Sequence, residues 1–289
     1  MTNQIDLHIH TNHSDGNQTV AQVIEKARHG GVKTISITDH NSVGAYDELE
    51  NIDAKDLKIV RGVELYYTED WNGRRVNNEV LGYNIDIEKM KTELSKMDGI
   101  VKSTEEHNLE ILRKKFSTKG FKISQNVVLC DTLYHNSLKA GRIILNDILL
   151  HAGNAELVKT YKFNKNTAIY DDHLRSSSSP FYSPELCLAL ITLKDCSDAI
   201  HACGGVCFMA HIFKRTGLDE VTARGYLLRC FKEKLIDGIE VFHPFHTQEQ
   251  IEFLKTFCQK HKIPMSGGTD NHNLNVPLGG SFDNLFIKV

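Results

Sequence analysis

The sequence predicts an α/β enzyme fold in the form of a closed or nearly closed barrel, and three observations predict it. Short apolar strands alternate with amphipathic helices, metal-binding residue types gather at the C-terminal ends of those strands, and 289 residues with 40% hydrophobic content suit one large domain. The opening segment Asp6-Leu7-His8-Ile9-His10-Thr11 carries the pattern in miniature. Strand side chains alternate faces, so Asp6, His8 and His10 share one side while Ile5, Leu7 and Ile9 share the other, set to bury the strand against a helix layer. Two imidazoles one pleat apart can converge on one cation.

Helical spacing from Val20 to His29, stopped by Gly30-Gly31, predicts the first crossover helix. A second strand follows in which Ile35 and Ile37 alternate with Thr34, Ser36 and Thr38, leaving His40 just past its end. A short helix over 45–51, a third strand over 57–64 ending in Glu64, and a fourth over 79–85 continue a βαβ rhythm. Trp71-Asn72-Gly73 marks a turn between the last two. From about residue 88 to 184 long charged helical patterns replace the strands, at 89–119 and 138–151, and a Ser-rich tract at 176–179 leads back. This predicts a helical lid inserted between barrel segments 1–87 and 185–289. Helix 187–203, strand 206–211 ending in His211, helix 225–234, strand 238–242, helix 247–261 and strand 263–269, followed by Asp270, complete the rhythm. Residues 284–289 read as a closing strand.

The net charge of −3 and pI near 6.6 exclude a sequence-independent duplex-DNA binder, which needs a broad basic face. No apolar run reaches membrane-spanning length, and no charged leader precedes the first strand, so the expected location is the cytoplasm. The 7 cysteines form no Cys-x-x-Cys pair and read as small apolar residues of a reducing compartment. In that compartment the Asn12-His13-Ser14 and Asn17-Gln18-Thr19 sequons have no consequence.

His8, His10, Asp15, His40, Glu64, His211, Asp270 and His272 exceed the coordination capacity of one ion, which implies at least two. Asp15, Glu64 and Asp270 carry three of the negative charges, so two or three divalent ions would leave the pocket positive and attractive to a phosphoester. Water, activated at paired cations, would then serve as nucleophile. A leaving alkoxide needs a proton. His243, in Val-Phe-His-Pro, reads either as that acid or a substrate contact, or as an exposed loop histidine beside His246.

The ordered series DLHIHTNHSDG, ITDHN, GVE, MAH and TDNH resembles the polymerase and histidinol phosphatase (PHP) family of metal-dependent phosphoesterases. It is most similar to stand-alone members that remove phosphate from nucleotides or cleave short oligoribonucleotides from the 5′ end. The resemblance implies a distorted (β/α)7-type barrel with a helical insertion after strand four. It also implies one ion on His8, His10, Glu64 and Asp270, and a second on Asp15, His40 and His272 near a bridging Glu64. A third ion in the family uses a histidine after the Gly-x-Glu motif together with the counterpart of His211. Here Glu79 stands at the first of those positions, as a ligand or as a solvated residue at a strand start. With Glu79 as a ligand, the mixture of nitrogen and oxygen donors, with no thiolate, leans to manganese or iron over zinc. The resemblance also places a phosphate-contacting group at Arg142, which reads as a bidentate clamp or as a solvated helix residue. Arg175, Lys214 and Arg215 are weaker phosphate candidates whose ordinary role is surface charge. Asp6 and Asp39 read as groups that orient the imidazoles. The expected substrate is a small phosphorylated molecule, a nucleotide or short oligonucleotide. The alternatives are a histidinol-phosphate phosphatase and a non-catalytic metal-binding interaction module.

Overall fold

The structure is a computed structural model that describes residues 4–124, 139–186, 191–214 and 216–279. It is a mixed α/β fold. One sheet holds β1 (Gln4–Ile9), β2 (Val32–Ile37) and β3 (Lys58–Ile59), all parallel. The other holds β4 (Gly62–Trp71), β5 (Arg74–Tyr83), β6 (Val206–Met209), β7 (Gly238–Phe242) and β8 (Met265–Gly267), in that spatial order. Single parallel bridges join the sheets on both sides, Ile9 with Asn271 and His40 with Glu64. Both bridges fall at the ends of strands that carry site residues.

The unbroken βαβ rhythm expected from the sequence fails between residues 57 and 85. Residues 57–64 are not one strand: β3 ends at Ile59, and Gly62 opens β4 in the other sheet. β4 then pairs antiparallel with β5 from Gly62–Tyr83 to Trp71–Arg74. A two-residue loop of Asn72 (φ 49°) and Gly73 (φ 73°) closes this hairpin, and positive φ at both central positions is the turn whose twist matches paired strands. β5 also pairs antiparallel with β6, whereas β6, β7 and β8 run parallel. The apolar side of β1 differs from expectation too. Leu7 packs with strand residues Leu81, Tyr83 and Phe208, not with a helix layer, and Tyr83 Oη donates to the Leu7 carbonyl at 3.0 Å.

α1 (Val20–His29) is where the periodicity put it, with Val20, Val23, Ile24 and Ala27 buried. Its Thr19 cap and Gln22 satisfy each other's backbone N–H groups, which fixes the chain just after the Asp15 loop. α2 (Ala45–Leu49) follows β2. α6 (Leu193–Ala202), α7 (Glu220–Lys232) and α8 (Gln248–His261) cover the later strands. Here α7 starts before the predicted residue 225, capped by Asp219. The predicted closing strand, Cys130, Cys187 and Arg215 lie outside the described residues. Cys196, Cys203, Cys207, Cys230 and Cys258 are free and buried, as small apolar residues are.

The chain divides into two compact units, Met1–Ser95 with Ile191–Val289, and Lys96–Leu190. α3 (Ile87–Thr118) carries the chain from the first into the second. The second unit contains α4 (Lys139–Leu150) and α5 (Ala155–Tyr161) and a core of its own, with Leu112, Phe116, Ile144, Ile148, Phe163 and Phe181. Phe116 stacks on Phe181 with centroids 4.6 Å apart.

Candidate metal centre

Parallel strands carry the loops after β1, β2, β6 and β8 to one side, where their imidazoles and carboxylates gather, and Glu64 near the start of β4 and Glu79 inside the antiparallel β5 reach the same place. β1 supplies His8, with His10 just past its end; the β2 loop supplies His40, β4 Glu64, β5 Glu79, the β6 loop His211, and the β8 loop Asp270 and His272. Two backbone devices make this possible. A Cβ on Gly268 would lie 2.4 Å from His8 Cβ, so only glycine lets the β8 end approach β1. Asp270 itself adopts φ 51°, a left-handed conformation found in turns and at functional sites.

Glu64 is the hub. Its Oε2 lies 3.2 Å from His8 Nε2, 3.2 Å from His10 Nε2 and 3.0 Å from His40 Nδ1, while Oε1 lies 3.0 Å from His211 Nε2. Asp270 Oδ1 completes the first group at 3.4 Å from His8 Nε2 and 3.2 Å from His10 Nε2. His8 Nε2, His10 Nε2 and Glu64 Oε2 are buried, and none makes a hydrogen bond among the described residues. Such atoms carry a large desolvation cost unless something else meets them. Donors separated by 3.2–3.4 Å fit the edges of a tetrahedron around a cation at about 2.0–2.1 Å, the usual distance to imidazole nitrogen and carboxylate oxygen. The donors fit a divalent ion.

A second group joins His10, Asp15, His40 and His272. Asp15 Oδ1 lies 3.1 Å from His272 Nε2 and 3.8 Å from both His40 Nε2 and His10 Nδ1. The Asp15 loop is pinned from two sides, by Gln18 Nε2 donating to the His10 carbonyl at 2.8 Å and by Asn17 N donating to the His272 carbonyl at 2.9 Å. His272 Nδ1 donates to the Asp270 carbonyl at 2.8 Å, which leaves its Nε2 lone pair directed at the group. A third group joins His40, Glu64 and Glu79, and His211 Nε2 lies 3.5 Å from Glu79 Oε2. The solvated reading of Glu79 is wrong. It sits well inside β5, fully buried, because the hairpin extends that strand beyond the predicted start.

The electrostatics are those of a mutually charged cluster. Burial alone would lift the Glu64 pKa, but His8, His40, His10 and His211 hold it well below the usual carboxylate range. Asp270 is likewise lowered, against burial, by His8, His10 and His243. Burial would lower the imidazoles, yet Glu64, Glu240 and Asp270 raise His8, and Asp270 and Glu64 raise His10 to about 9.

Other residues stand differently from expectation. Glu240, in the middle of β7, takes no part in the sequence-derived site, yet its Oε1 lies 2.8 Å from His8 Nδ1 and its Oε2 accepts the His211 N–H at 2.9 Å. A lone carboxylate inside the apolar strand Gly-Ile-Glu-Val-Phe was the available signal. Among the described residues Asp6 and Asp39 bond no imidazole. Asp6 accepts from Thr269 N at 3.0 Å and Oγ1 at 2.6 Å, and Asp39 from Thr11 N at 2.7 Å and Ser14 Oγ at 2.6 Å, so both fix the loops that carry the ligands. His243 is buried, not an exposed loop residue: Phe245 N donates to its Nδ1 at 3.2 Å, so Nε2 carries the proton and donates to Asp270 Oδ2 at 3.3 Å. His246 is structural, with Nδ1 donating to the Val241 carbonyl at 2.9 Å. Lys214 is no simple surface charge, since its ammonium bonds Asp270 Oδ2. Arg142 and Arg175 belong to the second unit, where they line one cavity of about 270 Å³ with Tyr170 and Asp171.

Comparison with known proteins agrees with this chemistry. A 5′-3′ exoribonuclease of Haemophilus influenzae is 25% identical over 276 residues, covering 94% of this chain and 91% of the relative. A phosphoribosyl 1,2-cyclic phosphate 1,2-diphosphodiesterase of Eggerthella lenta is 23% identical over 271 residues, covering 92% and 93%. Among solved structures, an amidohydrolase from Chromobacterium violaceum superposes with a TM-score of 0.57 at 22% identity, covering 96% of this chain and 90% of the other. A candidate metal-dependent phosphoesterase from Bifidobacterium adolescentis gives 0.55 at 24%, covering 97% and 91%. These two show the shared fold. No helix among the described residues is long and apolar enough to cross a membrane. The sequence model of the PHP domain matches residues 6–214, the greater part of the chain, and the protein belongs to the PHP domain family.

Proposed function

We propose that this chain hydrolyses a phosphoester, a nucleotide phosphomonoester or the end of a short oligonucleotide, at a site that holds two or three divalent ions. The observation that carries this reading is the division of Glu64, with one oxygen facing His8, His10 and His40 and the other facing His211. That is the posture of a carboxylate shared between cations. The naming of its relatives as exoribonuclease and diphosphodiesterase supports the same class of reaction. The chain is a hydrolase of the metal-dependent phosphoesterase kind.

In this reading His8, His10, Glu64 and Asp270 hold one ion, and Asp15, His40 and His272 a second. Glu79 and His211 hold a third with Glu64, in a harder site that favours manganese or iron over zinc. Bound, such ions polarise phosphoryl oxygens and lower the pKa of water. The protein's own part is orientation. Glu240 accepts the His8 Nδ1 proton and so presents Nε2 as the donor atom. His243 enters as a positioning residue for Asp270, and not as the acid or substrate contact read from the sequence, because its proton is committed to Asp270 Oδ2. Arg142 and Arg175 are assigned to phosphate binding in the second unit, which we read as the substrate lid. The two bridges between the sheets support a distorted barrel as the architecture. A histidinol phosphate would need carboxylates turned to its amine, but Asp15, Glu64, Glu79 and Asp270 are directed at imidazoles or Lys214.

Elemental analysis of purified protein, paired with a phosphoester panel in the presence and absence of chelator, tests the proposal. At least two equivalents of metal and chelator-sensitive turnover are expected. Turnover unaffected by complete metal removal would overturn the assignment, and bound metal without any turnover would favour the non-catalytic module.

A further inference from the structure

The loops that follow β6 and β7 leave the metal centre side by side, because those strands pair in parallel. The first carries Lys214 and the second Phe245. Lys214 makes a turn with His211, its N–H donating to the His211 carbonyl at 2.8 Å, and its ammonium then bonds Asp270 Oδ2 and lies 4.7 Å from the centre of the Phe245 ring. Phe245 is tied to the same assembly by its backbone bond to His243 and by ring contact with it, centroids 5.6 Å apart and planes 24° from parallel. Despite these neighbours Phe245 is 67% exposed, and among the described residues it is the only phenylalanine left so open. A large aromatic surface is thereby presented to water at the border of a buried, highly charged cluster. Its place is set by the site: one ammonium links the ring to a ligand of the first ion group.

We propose that Phe245, with Lys214 beside it, is a nucleobase platform for the substrate. The base of a nucleotide stacks on the Phe245 ring while its phosphate lies at the ligand cluster, and Lys214 offers its remaining N–H donors to a substrate oxygen between them. This deepens the phosphoesterase reading and rests on it for the position of the phosphate. It assigns a residue pair to the recognition of the base in the nucleotide substrate already proposed. Stacking of a base on an aromatic ring is sequence-tolerant, so the platform distinguishes nucleotides from sugar phosphates without selecting one base.

The test is equilibrium binding of adenosine 5′-monophosphate and of ribose 5-phosphate to manganese-loaded protein by calorimetry, with turnover of both followed separately. Wild type should prefer the nucleotide by about tenfold. Phe245→Ala and Phe245→Leu should lose that preference, and Phe245→Trp should restore it, since leucine keeps the bulk without the π face. Equal affinity for the two ligands in wild type, absence of binding by either, or an unchanged preference in Phe245→Ala overturns the platform. If neither ligand is turned over while the preference and its loss are as described, the nucleotide phosphomonoester reading fails and the base site stands.

Discussion

Glu240 and His8 lie 232 residues apart in the chain and 2.8 Å apart in space, with the carboxylate of β7 behind the imidazole of β1. One oxygen receives the His8 Nδ1 proton and the other the His211 N–H. Glutamine at this position has a single acceptor for two donors and would leave one unmet. Glu240→Gln should therefore weaken metal binding by about 10- to 100-fold. Chelator competition measures this, and an unchanged affinity would show that His8 needs no support from β7.

Glu64→Gln removes the charge that faces four imidazoles. Activity should fall by about 10³-fold or more, since a shared anion contributes several kcal/mol to holding paired cations and the charge they stabilise. Metal stoichiometry should drop in parallel. Full activity with full metal content would contradict a bridging role.

The pH dependence of stability should differ with and without metal. In the metal-free protein Asp270 and Glu64 raise His10 from 6.5 to about 9 despite burial. Its protonated form stabilises the fold fully below about 6.5, and that contribution is lost as pH rises through about 9. A cation requires the neutral imidazole, so the loaded protein is spared that loss over the same interval. The difference in Tm between manganese-loaded and chelator-treated protein should widen from pH 6.5 to 9. A constant difference would mean that protons and metal do not compete at this histidine.

Phe116 is fully buried in the core of the second unit, stacked on Phe181 and near Phe121 and Phe163. Phe116→Ala should cost about 3–5 kcal/mol in that unit. Because no residue of the ligand groups lies within Lys96–Leu190, metal content should be retained. Denaturant unfolding and elemental analysis together check this; loss of metal would show that the centre depends on the core around Phe116.

Arg142 donates to the Lys165 carbonyl at 3.0 Å and shares a cavity with Arg175. As a phosphate contact it should, when changed to Ala, raise KM about 10- to 100-fold, the value of a hydrogen bond to a charged group, without altering metal content. An unaltered KM would return Arg142 to an ordinary charge on a helix.

The metal centre was legible because its donors announce themselves locally. His8 and His10 are one pleat apart, and His40, His211, Asp270 and His272 each stand at or just past a strand end, so chemistry and strand period coincide in the sequence; Glu64 follows an apolar run, although β4 carries on beyond it to Trp71. The hairpin was not legible, because residues 65–78 are polar enough to read as loop and only the Asn72-Gly73 turn hinted at pairing. Glu79 was misplaced for the same reason: its burial follows from a strand whose extent is set by its partners.

The sequence by itself determined the alternation of strands and helices, the position of α1 and the identity of most candidate ligands, since these depend on residue type and on periods of two and 3.6 residues. Tertiary structure alone decided that Glu240 supports His8, that His243 donates a hydrogen bond to Asp270, and that Lys214 and Phe245 meet beside the cluster. Those relationships join β1, β6, β7 and β8, and no local period can encode which carboxylate arrives behind which imidazole. That depends on how parallel strands are ordered in the sheet and on Gly268 letting two of them come close.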